Sequence, residues 1–227
     1  MADETLEPGV DLSGRDLRDR RLTGAPLRDA DLSEATLADA TLGDADLRGA
    51  DLSGADLTRV DCAGFLADAD LSRATLVGAD LRGADLSDAD LAEADLRRAD
   101  LRETDLSRVN AAGADLTDAR LDGATGREAS FADADLTGAS AVDAGLVYTV
   151  FADATLREAD LSGADLLAAT LPGADATRAS FVDADCSELL AGDADLTHAD
   201  LTDATLTGVD LSAATTRGAT LPPGVDE

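Results

Sequence analysis

The chain has 227 residues and a formal net charge of −30, with 48 acidic residues against 18 arginines and no lysine. Hydrophobic residues make up 44% of the composition and aromatic residues only 2%. A charge this negative repels nucleic acid and anionic lipid and favours basic protein partners or cations, so direct nucleic-acid binding and a membrane role are not expected. The chain has only two cysteines, Cys62 and Cys186, and two cysteines are too few for a disulfide framework.

The first nine residues precede the regular part of the sequence, and we interpret residues 1–9 as an N-terminal cap segment. They are acidic and lack the basic and apolar regions of a signal peptide, so we expect a cytoplasmic protein. No apolar run in the chain approaches the roughly 18 residues needed to span a membrane.

From residue 10 onward Leu recurs every five residues, usually with Ala two positions earlier, as in Ala45 and Leu47. On an α-helix such leucines would spiral around the axis, and on one continuous strand an odd spacing would place successive leucines on opposite faces. A short extended stretch followed by a turn in every unit places all of them in one interior. The pattern therefore predicts a single β-solenoid over residues 10–223, with 224–227 as a short tail.

Two places depart from the regular pattern. Arg15 and Arg20 occupy inward Ala positions near the start, which is typical of the end repeat of a solenoid. A one-residue slip lies at Asp61-Cys-Ala-Gly-Phe-Leu66, and the regular spacing resumes at once. We therefore expect a local corner distortion with the solenoid continuing past it.

Both cysteines occupy Leu positions of the repeat. This placement predicts that they are small core residues without a redox role.

The segments ADLSGADL, ADLRGADL and ADLTHADL match the consensus A(D/N)LXX, and nearly the whole chain resembles the pentapeptide repeat family. The resemblance implies an all-β fold, a right-handed quadrilateral β-helix with four repeats per coil. The 43 repeats then give about eleven coils, stacked at roughly 4.8 Å into a rod on the order of 50 Å long. The family includes DNA mimics that bind DNA gyrase or topoisomerase IV, so the resemblance implies a type II topoisomerase as protein partner.

Catalytic chemistry is not expected. His198 is the only histidine and occupies an outward position without an evident partner. The sequence has no metal-type Cys/His spacing, nucleophile elbow or phosphate-binding loop. We therefore predict no catalytic residue, no cofactor and no metal site.

Two sets of outward residues are candidate interaction sites. Four repeats per coil place five aspartates in one column, namely Asp11, Asp31, Asp51, Asp70 and Asp90. Alternatively, these aspartates are turn residues whose side chains hydrogen-bond the local backbone, or they are weak Ca²⁺ ligands.

The second set of candidate interaction residues consists of large apolar residues clustered on an otherwise acidic surface: Val142, Val147, Tyr148, Val150, Leu167, Val182 and Leu190. The alternative for this set is relaxed selection in a degenerate stretch, since Gly126 and Ala141 nearby are also atypical.

The charge density leads to the functional prediction. Thirty net negative charges along roughly 50 Å correspond to about one per 1.7 Å, close to the density of duplex DNA. We predict a non-enzymatic acidic rod that binds a macromolecular partner, with DNA mimicry toward gyrase or another type II topoisomerase as its concrete form. The alternative is a structural or scaffolding solenoid whose acidity is an adaptation to high salt, and the absence of lysine favours this alternative.

Overall fold

The computed structural model describes residues 6–224, which form parallel β-bridges and turns and no helix. The bridges are isolated, one residue per repeat, and run from Asp11 to Thr220. Most bridges join a residue to the one twenty positions later, as from Asp11 to Asp31, so that a regular coil takes up four pentapeptides. No described segment forms a helix able to cross a membrane. Residues 1–5 of the predicted cap and 225–227 of the predicted tail lie outside the described residues.

Four of the five backbone N–H groups in a regular repeat have backbone acceptors. The Asp31 N–H donates to the Val10 carbonyl of the preceding coil (2.9 Å), and the Leu32 N–H donates to the Asp51 carbonyl of the next coil (2.7 Å). The Ala35 N–H donates to the Leu32 carbonyl (3.0 Å) and closes a β-turn, while the residue before Ala35 also donates to the next coil. The fifth N–H, just after Leu, has no backbone acceptor in this pattern.

The β-turns explain the five-residue period. The second central residue of each regular turn has a positive φ, and 26 such residues in the described chain are not glycine. A type II turn requires φ > 0 at this position. Glycine adopts it freely, and aspartate tolerates it better than most residues. Aspartate accounts for 12 of the 26, and most of the others are glutamate or arginine. Three extended residues and two turn residues therefore complete one repeat.

The core is built from the two inward positions of each repeat. Leucines at the Leu position are at most 7% exposed from Leu12 to Leu201, and the alanines two residues earlier are buried with them. Full burial of one leucine contributes about 1.5–3 kcal/mol. Cys62 and Cys186 are free and buried, which confirms their prediction as core residues.

The two ends of the solenoid are less well covered because each end coil has only one neighbour. Arg15 and Arg20 replace inward alanines in the first coil and are exposed. In the last coil Leu206, Leu211 and Leu221 are only partly buried.

Large and small side chains compensate each other inside the coils. Phe131 and Phe151 lie in successive coils, with ring centroids 5.5 Å apart and planes within 10°. Gly126 and Ala141 take the Leu positions before and two repeats after Phe131, so the volume of the ring is balanced within its own coil. The small residues Gly126 and Ala141 at Leu positions are therefore explained by core packing, because the large Phe131 ring lies in the same coil.

A second exchange occurs near the C-terminal end. Leu189 is 6% exposed at an inward Ala position, and Ala191 takes the adjacent Leu position. The following turn is also changed, because Gly192 has the positive φ (54°) at the first central position instead of the second. The Asp193 side chain accepts the Gly173 N–H of the turn one coil earlier (2.8 Å), in place of the backbone carbonyl that accepts the equivalent N–H in a regular coil.

The slip shortens one coil by a single residue without interrupting the ladder. Asp46 pairs with Phe65, nineteen positions later, and Phe65 pairs with Asp85. Gly64 fills the inward position of the shortened repeat, where an added Cβ would lie 2.9 Å from the Ala45 carbonyl oxygen. The expected local distortion with a continuing solenoid is confirmed.

Candidate interaction surface

Consecutive bridges stack Asp11, Asp31, Asp51, Asp70 and Asp90 in neighbouring coils, and we call these five residues the aspartate column. The same ladder continues through Asn110, Ser130, Val150, Thr170 and Leu190. The aspartate column and part of the apolar cluster are therefore two halves of one line of residues. That line is acidic toward the N-terminus and apolar toward the C-terminus.

The carboxylates of the aspartate column complete the hydrogen bonding of the repeat. Asp31 Oδ1 accepts the Ser33 N–H (3.0 Å) and the Ser33 hydroxyl (2.6 Å), and the next coil repeats both bonds. Asp90 Oδ1 accepts the Ala92 N–H (2.9 Å). This N–H is the one that has no backbone acceptor, so the predicted turn-bonding role of these aspartates is present in the structure.

In the described part of the chain, some aspartates at this repeat position are paired with an arginine, whereas four members of the aspartate column are not. Asp100 pairs with Arg102, two residues on, with Oδ2 and Nη2 2.6 Å apart, and this hydrogen-bonded guanidinium lowers the pKa of the carboxyl. The equivalent bond from Arg18 lowers the pKa of Asp16 to about 2. Within residues 6–224, by contrast, no arginine is ion-paired with Asp31, Asp51, Asp70 or Asp90.

Five members of the predicted apolar cluster lie along one turn of the coil and the ladder that follows it. Val147 and Leu167 lie at equivalent turn positions of adjacent coils, since the Tyr148 N–H donates to the Leu167 carbonyl (3.0 Å). Val150 and Leu190 lie two coils apart in one line, through a single intervening residue. Tyr148 is 46% and Leu190 63% exposed, while the other three are partly buried.

Val142 and Val182 do not join this group. Val142 and Val182 occupy the same turn position as Val147, but one repeat earlier in the coil. They therefore lie at the turn that precedes the turn of Val147. Ser162 separates them along their own line: the Asp143 N–H donates to its carbonyl, and the Gly163 N–H donates to the Val182 carbonyl. The predicted cluster is therefore smaller in the structure than in the sequence.

The remaining reactive residue types are the thiols and the histidine. Burial raises the pKa of Cys62 and of Cys186 to about 12, so both are protonated at neutral pH. His198 is exposed at a turn, with a φ of 62°. Within the described part of the chain, no group of three or more His, Cys, Asp or Glu side chains is placed to hold a metal ion.

The repeat pattern, the ladder and the inward leucines define a class of solenoid proteins. The sequence profile of pentapeptide repeats matches residues 25–61, 66–103, 104–140, 149–187 and 179–215. These matches cover more than half of the chain, and the chain belongs to the pentapeptide repeat family. The interruption between residues 61 and 66 coincides with the slip.

Three solved structures illustrate the likeness. HetL, a pentapeptide repeat protein involved in heterocyst differentiation regulation in the cyanobacterium Nostoc sp. strain PCC 7120, is 31% identical over 100% of this chain and 95% of its own, with a TM-score of 0.47. A pentapeptide repeat protein of the Arabidopsis thaliana thylakoid lumen is 38% identical over 41% of this chain and 66% of its own (TM-score 0.41). Trypsin-treated QnrB1, a plasmid-mediated fluoroquinolone resistance protein, is 25% identical over 95% of this chain and 91% of its own, with a TM-score of 0.43. No curated protein sequence matches this chain significantly.

Proposed function

We propose that the protein is a non-enzymatic acidic rod that binds a protein partner, acting as a DNA mimic on DNA gyrase or another type II topoisomerase. In this proposal the rod is a right-handed quadrilateral β-helix of about eleven coils, roughly 50 Å long. The observation that carries the proposal is its linear charge. A net charge of −30 over that length is about one charge per 1.7 Å, the axial charge density of duplex DNA.

The aspartate column supplies the regular part of this charge. It places one carboxylate per coil, at a spacing of roughly 4.8 Å. Among residues 6–224, no arginine is ion-paired with Asp31, Asp51 or Asp70. A protein surface that binds DNA phosphates presents arginine and lysine side chains. Carboxylates in a straight line satisfy the same side chains and attract them over a long range.

The proposal is tested by inhibition of supercoiling by the host's own gyrase at the host's own salt concentration. The folded rod should inhibit, and inhibition should weaken steeply with added salt. Asp31→Asn, Asp51→Asn and Asp70→Asn together should reduce inhibition. Asparagine keeps the turn acceptor, as Asn110 does for the Ala112 N–H (3.3 Å), so only charge is removed.

A matched control removes the same charge from other lines of residues. Asp135, Asp195 and Asp200 also accept the N–H of the residue two positions on, and their triple Asn variant should inhibit nearly as well as the wild type. Equal losses in the two triple variants would show that the aspartate column has no special part. Absence of inhibition by the folded wild type at every salt concentration would overturn the proposal.

A structural rod adapted to high salt is the second candidate. The observation that favours it is that the column carboxylates already have a role in the fold, because each completes the hydrogen bonding of its own turn, as at Asp31 and Asp90. In this case the aspartates serve folding and solubility, and all cationic side chains are arginine. The same inhibition assay separates the candidates, since a structural rod leaves the topoisomerase unaffected.

A further inference from the structure

Five apolar residues and one threonine lie along one turn of the coil and the ladder that follows it in the chain. The apolar patch consists of Val147, Tyr148, Val150, Leu167, Thr170 and Leu190. Val150, Thr170 and Leu190 occupy three successive coils of one ladder, while the Tyr148 N–H bonds the Leu167 carbonyl at the adjoining turn. The patch extends over three coils on one side of the solenoid.

The fold does not account for these side chains. Tyr148 has a φ of 60° at a turn position where glycine and aspartate are common, and arginine and glutamate adopt the same conformation elsewhere in the solenoid. Its aromatic ring is therefore not required by the turn. Val150 and Leu190 stand in the line where Asp90 accepts a turn N–H, and neither side chain can accept one. Val150 and Leu190 therefore supply no side-chain acceptor to the turn that follows them, and Tyr148 and Leu190 expose apolar surface. Missing turn acceptors and exposed apolar surface together point to binding.

The charged residues around the apolar patch are almost all acidic. Arg127 lies over the Tyr148 ring, with its guanidinium carbon 5.0 Å from the centroid, and its Nε is 3.3 Å from Glu128 Oε1. The exposed acidic residues of the rim are Glu128, Asp153, Asp165, Asp185 and Glu188. A second copy of this chain would bring acidic rim against acidic rim, which is unfavourable. A partner with a basic rim is complementary.

We propose that the apolar patch is a docking surface for a protein partner whose contact region has an apolar centre and an arginine- or lysine-rich rim. The centre packs against Tyr148, Val150 and Leu190, and the basic rim pairs with the surrounding carboxylates. This proposal extends the binding role proposed above to a second surface. It does not require that the partner be a topoisomerase.

The chemistry of the partner is tested with three labelled peptides of equal length, followed by fluorescence anisotropy near physiological salt. One peptide combines Leu with Arg, one combines Leu with Glu, and one combines Ser with Arg. The Leu–Arg peptide should bind the wild-type protein. The variant Tyr148→Asn, Val150→Thr, Leu167→Thr, Leu190→Thr should bind it at least about tenfold more weakly, as expected when central anchor residues are removed. All four changes preserve charge.

The matched control carries Val77→Thr, Val142→Thr and Val182→Thr, which remove apolar side chains from other turns. Its affinity should equal that of the wild type. Threonine is native at such positions, as at Thr170 and Thr177, and thermal unfolding verifies that each variant is folded. If the quadruple variant does not fold, Leu190→Thr alone provides the comparison.

Three results would overturn the proposal. The first is equal affinity of the wild type and the patch variant for the Leu–Arg peptide. The second is equal binding of the Ser–Arg or Leu–Glu peptide, which would assign binding to charge alone or to apolar contact alone. The third is a dimer in sedimentation experiments that the patch variant abolishes, which would make a second copy the occupant. No topoisomerase is present in these assays. A negative result in the peptide-binding assays would therefore contradict the docking proposal without bearing on the supercoiling test.

Discussion

Aspartate occupies two positions of the repeat for two different physical reasons. Before Leu it accepts the turn N–H that lacks a backbone acceptor, as Asp31 does. At the second central position of the turn it adopts a positive φ, as Asp39 does at 59°, because it tolerates this conformation better than most residues. Much of the negative charge is therefore a consequence of turn chemistry. Within the described residues, Asp31, Asp51, Asp70 and Asp90 have no paired arginine and stack in successive coils, so they add a regular line of charge.

The two thiols provide a residue-scale prediction. Burial raises the pKa of Cys62 and Cys186 to about 12, and the thiolate is the reactive form. In the native protein neither thiol should react with a chromogenic disulfide reagent at pH 8, and both should react in guanidinium chloride. A Ser13→Cys variant, with its thiol at an exposed position, should show one native reactive group. Reaction of a native thiol in the wild type would contradict the buried positions.

At the scale of the repeat, the sequence predicts which residues point inward, and the structure confirms it for Leu and Ala. It could not show that twenty residues complete a coil, because a five-residue period fixes the turn after each stretch and not the number of turns per coil. It also missed the exchange of Leu189 and Ala191. The register of the sequence shows Leu at an Ala position and Ala at a Leu position, but only the structure shows that both side chains remain buried there.

The slip provides a prediction at the same scale. Gly64→Ala should destabilise the protein by about 1–3 kcal/mol, because the new Cβ would lie 2.9 Å from the backbone oxygen of Ala45. Gly43→Ala is the control, since Gly43 has nothing within 4 Å of its Cβ position and no positive φ. It should be neutral or stabilising by up to about 1 kcal/mol. Denaturant unfolding measures both, and equal effects would contradict the close approach at Gly64.

Across the whole molecule, the alignment of the aspartate column was predictable once four repeats per coil were assumed and the slip was counted. The same counting places Val150 and Leu190 in line with Asp90, since whole coils separate them. Proximity in the sequence, on which the predicted cluster mainly rests, does not reveal this connection. Proximity also placed Val142 and Val182 in the cluster, and the coil geometry separates them.

Salt dependence is the prediction for the whole molecule. Carboxylates one coil apart repel each other, and the screening length falls from about 10 Å at 0.1 M to about 3 Å at 1 M salt. The thermal midpoint should therefore rise clearly from low to molar NaCl, as measured by circular dichroism. The variant with Asp31, Asp51 and Asp70 changed to Asn should show a smaller rise. A midpoint that is flat over this range would show that repulsion does not limit stability.

A coil of twenty residues has a consequence for how the two surfaces are placed relative to each other. Gain or loss of twenty residues leaves every line of residues in register. Gain or loss of five keeps Leu and Ala inside but moves all downstream residues to the neighbouring side of the rod. One such event between Asp90 and Val150 would turn the apolar patch away from the aspartate column while the core remained intact. The angle between the two surfaces is therefore set by repeat number alone, without any contact between them.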